Sequence, residues 1–283
     1  MQRQEINSEK LDAPGAKDAE VSNLSGASDL ANKQNSELIS SSERKYDHIV
    51  VVIEENHGFQ GVTPSFPRII GNDRAPYINS LAQGGRLFTN AFAVTHPSQP
   101  NYIALFSGST QGVRDNFNHS FNLPNLATQL ESAGLSFTGF VDSGSPRKHN
   151  PWESFPNAKH TGTDMKNFPT DFNKLPTVSF VIPNLDHDMH DGTVEDADKW
   201  LKDNLGAYAD WAKTHNSLLI VMTDEDDFQQ DNRIPLIVYG DGIEPSKSAQ
   251  KVNTIGVLHG IEKQYGLPFL GDKADAASLE RDK

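Results

Sequence analysis

Two uninterrupted apolar runs constrain this chain more than any other feature. His48–Ile53 (HIVVVI) and Ser217–Met222 (SLLIVM) show no alternation of polar and apolar residues. A strand with one wet face alternates. A strand apolar throughout is covered on both faces, as in parallel sheets flanked by helices. Further strand signals fall at Arg86–Phe92, Ser136–Val141, Val178–Ile182 and Ile234–Tyr239. Helix signals lie between them. Ala75–Leu81 reads as a short helix ended by Gly84-Gly85, Asn101–Phe106 as one beginning after Pro100, and Leu126–Ala133 as one stopped by Gly134. The longest helix begins at Thr193, an N-cap followed by Glu195 and Asp196. Its Val194, Ala197, Trp200, Leu201, Leu205 and Tyr208 share one face. A last helix spans roughly Thr254–Gln264 and is closed by Gly266. This alternation predicts an α/β fold with a mostly parallel sheet and helices on both faces.

The strands do not fill the chain. Residues 1–45 contain no Phe, Trp or Tyr and are rich in Ser, Asn, Ala and charged residues. They are expected to form a disordered leader or tether, with a loose helix at Ala27–Leu38 as the alternative. The body runs from 46 to 271, and 272–283 reads as a polar C-terminal tail. With 25 Lys+Arg against 38 Asp+Glu the net charge is −13, which argues against nucleic-acid binding. No apolar run reaches the roughly 18 residues of a membrane span. Zero cysteines exclude disulfides and thiol chemistry. Met1 to Ser8 lacks the apolar core of a signal peptide. The chain is therefore either not exported or numbered from after a removed signal.

In open sheets of this kind ligands bind at the carboxyl ends of the strands. Four strands deliver ionisable residues there: Glu54-Glu55-Asn56-His57 after the first, Thr95-His96-Pro97-Ser98 after Arg86–Phe92, Asp186-His187-Asp188-Met189-His190 after Val178–Ile182, and Thr223-Asp224-Glu225-Asp226-Asp227 after Ser217–Met222. Glu55, Asn56, Asp224 and Glu225 offer hard oxygen ligands for a divalent cation, without which the carboxylates would raise one another's pKa values. Asp226 or Asp227 could stand in for Glu225. Ser98 precedes a helix start, where an anion is favoured, and a hydroxyl beside a cation can attack phosphorus. Thr95 is the rival nucleophile. His96, His187 and His190 could bind phosphate oxygens or protonate a leaving group. The spacing from Asp186 to His190 could hold a second metal. Trp152 could line the cleft.

The segments ENHG, THPSQPNYIALFSG, RKHNPW, PNLDHDMHDG and TDEDD, in that order, resemble the bacterial and fungal phosphoesterase family of acid phosphatases and phospholipases C, within the alkaline-phosphatase-like superfamily. The resemblance covers Tyr46 to about Gly271. It implies a three-layer α/β/α sandwich with a Ser or Thr nucleophile. Ser98 then matches the nucleophile, and Glu55, Asn56, Asp224 and Glu225 match the metal ligands. His190, with Asp186 or His187, matches the histidine-bearing segment at the phosphate, and His149 a histidine near the site. Asn101 in Ser-Gln-Pro-Asn-Tyr matches a substrate-side position. Many relatives carry Asn-His-Tyr-Ser before the last helix, whereas this chain has Asn253-Thr254-Ile255-Gly256. That departure favours one metal plus histidines over a full two-metal site.

The expectation is therefore a metal-dependent phosphomonoester hydrolase of acid-phosphatase type. It would pass through a phosphoserine intermediate and use one divalent ion (Mg, Mn, Ca or Zn). The substrate would be a small phosphomonoester, such as a nucleotide, sugar or lipid phosphate. The resemblance implies a secreted or periplasmic protein. A phospholipase C or other phosphodiesterase is the alternative, and a non-catalytic phosphate- or metal-binding protein the third reading.

Overall fold

The computed structural model describes residues 45–60, 68–229 and 231–282. The expected leader lies outside the described residues. Nine strands form one sheet: β1 (His48–Glu54), β2 (Arg86–Phe92), β3 (Phe137–Val141), β4 (Gly162–Asp164), β5 (Val178–Ile182), β6 (Ser217–Thr223), β7 (Arg233–Gly240), β8 (Ser246–Ser248) and β9 (Val252–Asn253). Their order is β4-β3-β5-β1-β6-β7-β2-β8, with β9 also on β2. Every pairing is parallel except the two made by β7, which runs against both β6 and β2. Two reversals cancel, so β2 points the same way as β1, β5 and β6. The carboxyl ends of those four strands therefore share one edge.

The pleat sorts the β1 side chains into two cores. Ile49, Val51 and Ile53 pack in one with residues of α2 (Ser98–Ser107), α3 (Leu126–Ser132) and α5 (Thr254–Tyr265). Val50 and Val52 pack in the other with α1 (Pro76–Gly84) and α4 (Val194–Ala212). Burial on both faces is what the unbroken apolar run required. The arrangement is an α/β sandwich with helices on both sides of a mostly parallel sheet. Helix α4 starts as its sequence indicates: Thr193 and Asp196 form a reciprocal capping box.

Three expectations change. Helix α2 begins at Ser98 rather than Asn101, because Pro100 falls within its first turn, where a missing N–H costs nothing. Trp152 is 1 % exposed and packs over Gly139 of β3 and Gly162 of β4. A Cβ at Gly139 would lie 2.1 Å from the indole, so Trp152 is a core residue and not a cleft wall. The segment from 272 onward, set apart by its polarity, packs on the body. Ala277 and Leu279 are buried in the first core, and the Arg86 side chain donates to Ser278 O, Glu280 O and Asp282 Oδ1.

Candidate active site

The cluster starts where β1 ends. Alternation turns Glu54 to one side of the sheet and Glu55 to the other. Both are buried. Glu55 accepts hydrogen bonds from Ser98 Oγ at 3.0 Å through Oε2 and from Tyr102 OH at 2.7 Å through Oε1. Ser98 and Tyr102 are one turn apart on α2, so one helix face presents both hydroxyls to one carboxylate. Ser98 Oγ also lies 3.1 Å from Glu225 Oε1. One hydroxyl proton can serve only one of these acceptors. Asp224 sits beside them, its Oδ1 accepting the Asn56 backbone N–H at 3.1 Å. The second oxygen of Asp224 is buried with no hydrogen-bond partner.

The electrostatics follow from this crowding. Burial, then the charges of Glu55 and Glu225, push the Asp224 carboxyl well above its usual range. Burial acts on Glu55 in the same direction. The His149 ring, the Tyr102 hydroxyl and Lys148 outweigh it and hold Glu55 at about 2. Burial, with Glu55 next, pushes Asp188 up to about 8. Glu54, buried without a partner for either oxygen, is raised far above the carboxylate range. Oxygens of Glu55, Asp224 and Glu225 lie within 4.8 Å of one another. Three buried carboxylates with an orphaned oxygen form a hard donor set that suits a divalent cation. A second such group joins Glu55, His149 and Asp188.

The sequence-designated residues divide. Ser98, Glu55, Asp224 and Glu225 converge, and Asn56 joins them through its backbone. His190 lies beyond His149: its ring is 6.5 Å from that of His149, and its Nδ1 meets Asp191 Oδ1 at 2.7 Å. That contact leaves Nε2 as the nitrogen available for exchange. The others take different places. His96 holds Glu225 Oε2 at 2.7 Å with Nδ1 and Asp226 Oδ1 at 3.0 Å with Nε2. Burial opposes its charge, but these two carboxylates prevail and raise its pKa. Both of its nitrogens are engaged by carboxylates, so it holds Glu225 and Asp226 in place.

His187 Nδ1 meets Asp142 Oδ2 at 2.7 Å and its ring stacks on Trp200. Asp186 is exposed on its turn, its backbone N–H bonded to Asn184 Oδ1. Asn101 turns its amide to the backbone. Its Oδ1 accepts from Val94 N and Thr95 N and its Nδ2 donates to Thr95 O, so its amide fixes the loop before Ser98. His149 is fully buried, stacked on Tyr102 at 4.9 Å. Its Nε2 is 3.0 Å from Glu55 Oε1 but out of line for a hydrogen bond. It tunes Glu55 rather than meeting substrate.

Two residues of the cluster escape sequence reasoning. Tyr102 reads as an ordinary helix aromatic, and only its place one turn after Ser98 marks it. Asp188 stands between two designated residues, but the inward position belongs to it. Its carbonyl accepts the Glu55 N–H at 2.8 Å and its Oδ1 accepts the His190 N–H at 2.9 Å, which seats it under β1.

The Phosphoesterase family profile matches residues 68–268. A Mycobacterium tuberculosis protein named phosphatidylinositol-3-phosphatase is 44% identical over 259 residues, covering 86% of this chain and 84% of its own. A probable acid phosphatase of Kluyveromyces lactis is 30% identical over 71% of this chain and 56% of its own. Among solved structures, a Vibrio parahaemolyticus protein of the alkaline phosphatase superfamily superposes with a TM-score of 0.57 at 18% identity, covering 80% of this chain and 67% of that one.

Proposed function

The chain belongs to the Phosphoesterase family and hydrolyses phosphoric esters, and we propose that it does so as a divalent-metal-dependent phosphomonoesterase with Ser98 as nucleophile. The observation that carries this reading is the Ser98 hydroxyl set between the carboxylates of Glu55 and Glu225 at the start of α2. Glu55, Asn56, Asp224 and Glu225 would hold the ion. When bound, such an ion offsets their charge and lowers the pKa of a neighbouring hydroxyl.

The remaining chemistry falls to the protein's own groups. Glu225, whose Oε1 lies 3.1 Å from Ser98 Oγ, takes the Ser98 proton as Oγ bonds to phosphorus and the phosphorus–oxygen bond to the alcohol breaks. His190 Nε2 supplies the proton that the departing alkoxide needs. Water then cleaves the phosphoserine, releases inorganic phosphate and restores the hydroxyl. Tyr102 keeps Glu55 oriented, and His96 holds Glu225 in place. The α2 N-terminus favours the negative charge that collects on the phosphoryl oxygens.

The similarity to a protein named phosphatidylinositol-3-phosphatase supports a phosphomonoester on an inositol lipid as the substrate class. A secreted or periplasmic location belongs to the same reading. Among the described residues no helix is long and apolar enough to cross a membrane. The test compares p-nitrophenyl phosphate with bis-p-nitrophenyl phosphate, with chelator and after metal is restored. The expected result is monoester turnover about 100-fold above diester turnover, abolished by chelator and recovered with a divalent ion. Preferred diester hydrolysis would instead make the chain a phosphodiesterase. No turnover of either ester with metal supplied would point to a binding protein or to a substrate that these aryl esters do not mimic.

A further inference from the structure

An ion held by Glu55, Asp224 and Glu225 leaves part of the buried cluster unexplained. Glu55 Oε2 faces Ser98, whereas its Oε1 faces His149. His149 is 0 % exposed and Asp188 1 %. His149 Nε2 lies 3.0 Å from Glu55 Oε1, and its Nδ1 lies 3.7 Å from Asp188 Oδ2. Neither ring nitrogen makes a hydrogen bond, and neither does Asp188 Oδ2. Buried polar atoms are nearly always satisfied. Three left over in one place, turned toward one another, point to a group that takes lone pairs.

The side chains are fixed through their other atoms. The His149 ring stacks on Tyr102 with centroids 4.9 Å apart, and Tyr102 OH donates to Glu55 at 2.7 Å. Asp188 uses its Oδ1 to accept the His190 N–H and its carbonyl to accept the Glu55 N–H. Such outer contacts are what orients metal ligands. One atom from each of Glu55, His149 and Asp188 lies within 4.8 Å of the others. From that spacing three side chains can meet one ion with bonds of about 2.0–2.2 Å.

We infer that Glu55, His149 and Asp188 form a second cation site, for a first-row transition ion such as Zn(II), with Glu55 shared between it and the site beside Ser98. An imidazole nitrogen suits zinc, whereas an all-oxygen set suits magnesium or manganese. Magnesium therefore serves the site beside Ser98 alone. The ligands differ from Asp186 and His190, whose spacing in sequence suits a metal, because the fold leaves Asp186 exposed on its turn. The inference goes beyond the phosphomonoesterase reading, and its test needs no substrate.

Counting bound ions provides that test. Untagged, metal-free protein is dialysed against zinc and then against metal-free buffer, and its metal content is measured. The full chain should hold about two zinc ions. His149→Gln and Asp188→Asn should each hold about one, the ion beside Ser98, and Asp224→Asn about one, the ion at His149. Asp188→Asn is nearly isosteric and can keep the bonds to Glu55 and His190, so it carries the test if His149→Gln fails to fold. With magnesium, the full chain and Asp188→Asn should bind alike. A single zinc ion in the full chain that survives Asp188→Asn would overturn the inference and leave the metal-dependent reading standing. Two zinc ions in both the full chain and Asp188→Asn would place the second ion elsewhere and overturn it as well. A full chain that binds no ion would refute both.

Discussion

Ser98→Ala should lower kcat on an aryl phosphate roughly 10⁴-fold while leaving the fold and KM nearly as they were. The size follows from what is removed. The hydroxyl is the group set between the carboxylates of Glu55 and Glu225 that would bond to phosphorus. Its deletion leaves only positioning and charge, which alone retain a small rate above that in water. Stability should change little, because Ser98 fills a small volume at the first turn of α2 and gives no side-chain cap to that helix. A steady-state assay together with a thermal melt separates the two effects. A loss below about tenfold would transfer the nucleophile to another group, with Thr95 the nearest candidate in sequence.

Asp224→Asn should show its largest effect in the response to metal. In the parent, oxygens of three buried carboxylates lie within 4.8 Å. Ion binding to the folded state stabilises it by about 2.7 kcal/mol at a hundred times Kd. For a domain of this size that corresponds to a rise in Tm of roughly 5–10 °C. The amide removes one charge, and its oxygen can keep the Asn56 N–H bond. The metal-free variant should therefore melt no lower than the metal-free parent, because repulsion with Glu55 and Glu225 has been relieved. Its gain on adding a divalent ion should fall to about 1 °C or less, and turnover should drop roughly 100-fold or more. Melting curves with chelator and with a titrated divalent ion read both. An equal gain in parent and variant would place the ion elsewhere.

Much of this site can be read from sequence because burial and topology act through short-range signals. HIVVVI and SLLIVM can lie only in a doubly covered sheet, and parallel strands bring their carboxyl ends together whatever the loops do. Glu55, Asp224 and Glu225 follow those two strands directly, so they had few places to go. Strand direction was less legible. Ile234–Tyr239 reads the same in either sense, and its antiparallel course depends on the link from β6 rather than on its own residues.

The turn residues were the hardest to place. In Asp186-His187-Asp188-Met189-His190 acids and histidines alternate, and sequence gives no reason to prefer one acid. The fold prefers Asp188 because its backbone bonds to Glu55, with Met189 at φ +78° completing the turn. Asn101 shows the converse. A buried amide serves a substrate or the backbone equally well on paper, and here every hydrogen bond it makes goes to main-chain atoms between 94 and 97. His96 is similar: only the folded chain shows both its nitrogens held by carboxylates.

The central claim is a covalent phosphoryl group on Ser98, and a quench experiment tests it most directly. The metal-loaded protein is mixed with an aryl phosphate, stopped in acid within milliseconds, digested and analysed by mass spectrometry. The peptide carrying Ser98 should gain one phosphoryl group, and the corresponding peptide of Ser98→Ala should gain none. Steady turnover with an unmodified Ser98 peptide, or with the phosphoryl group on another residue, would contradict the assignment of Ser98 as nucleophile.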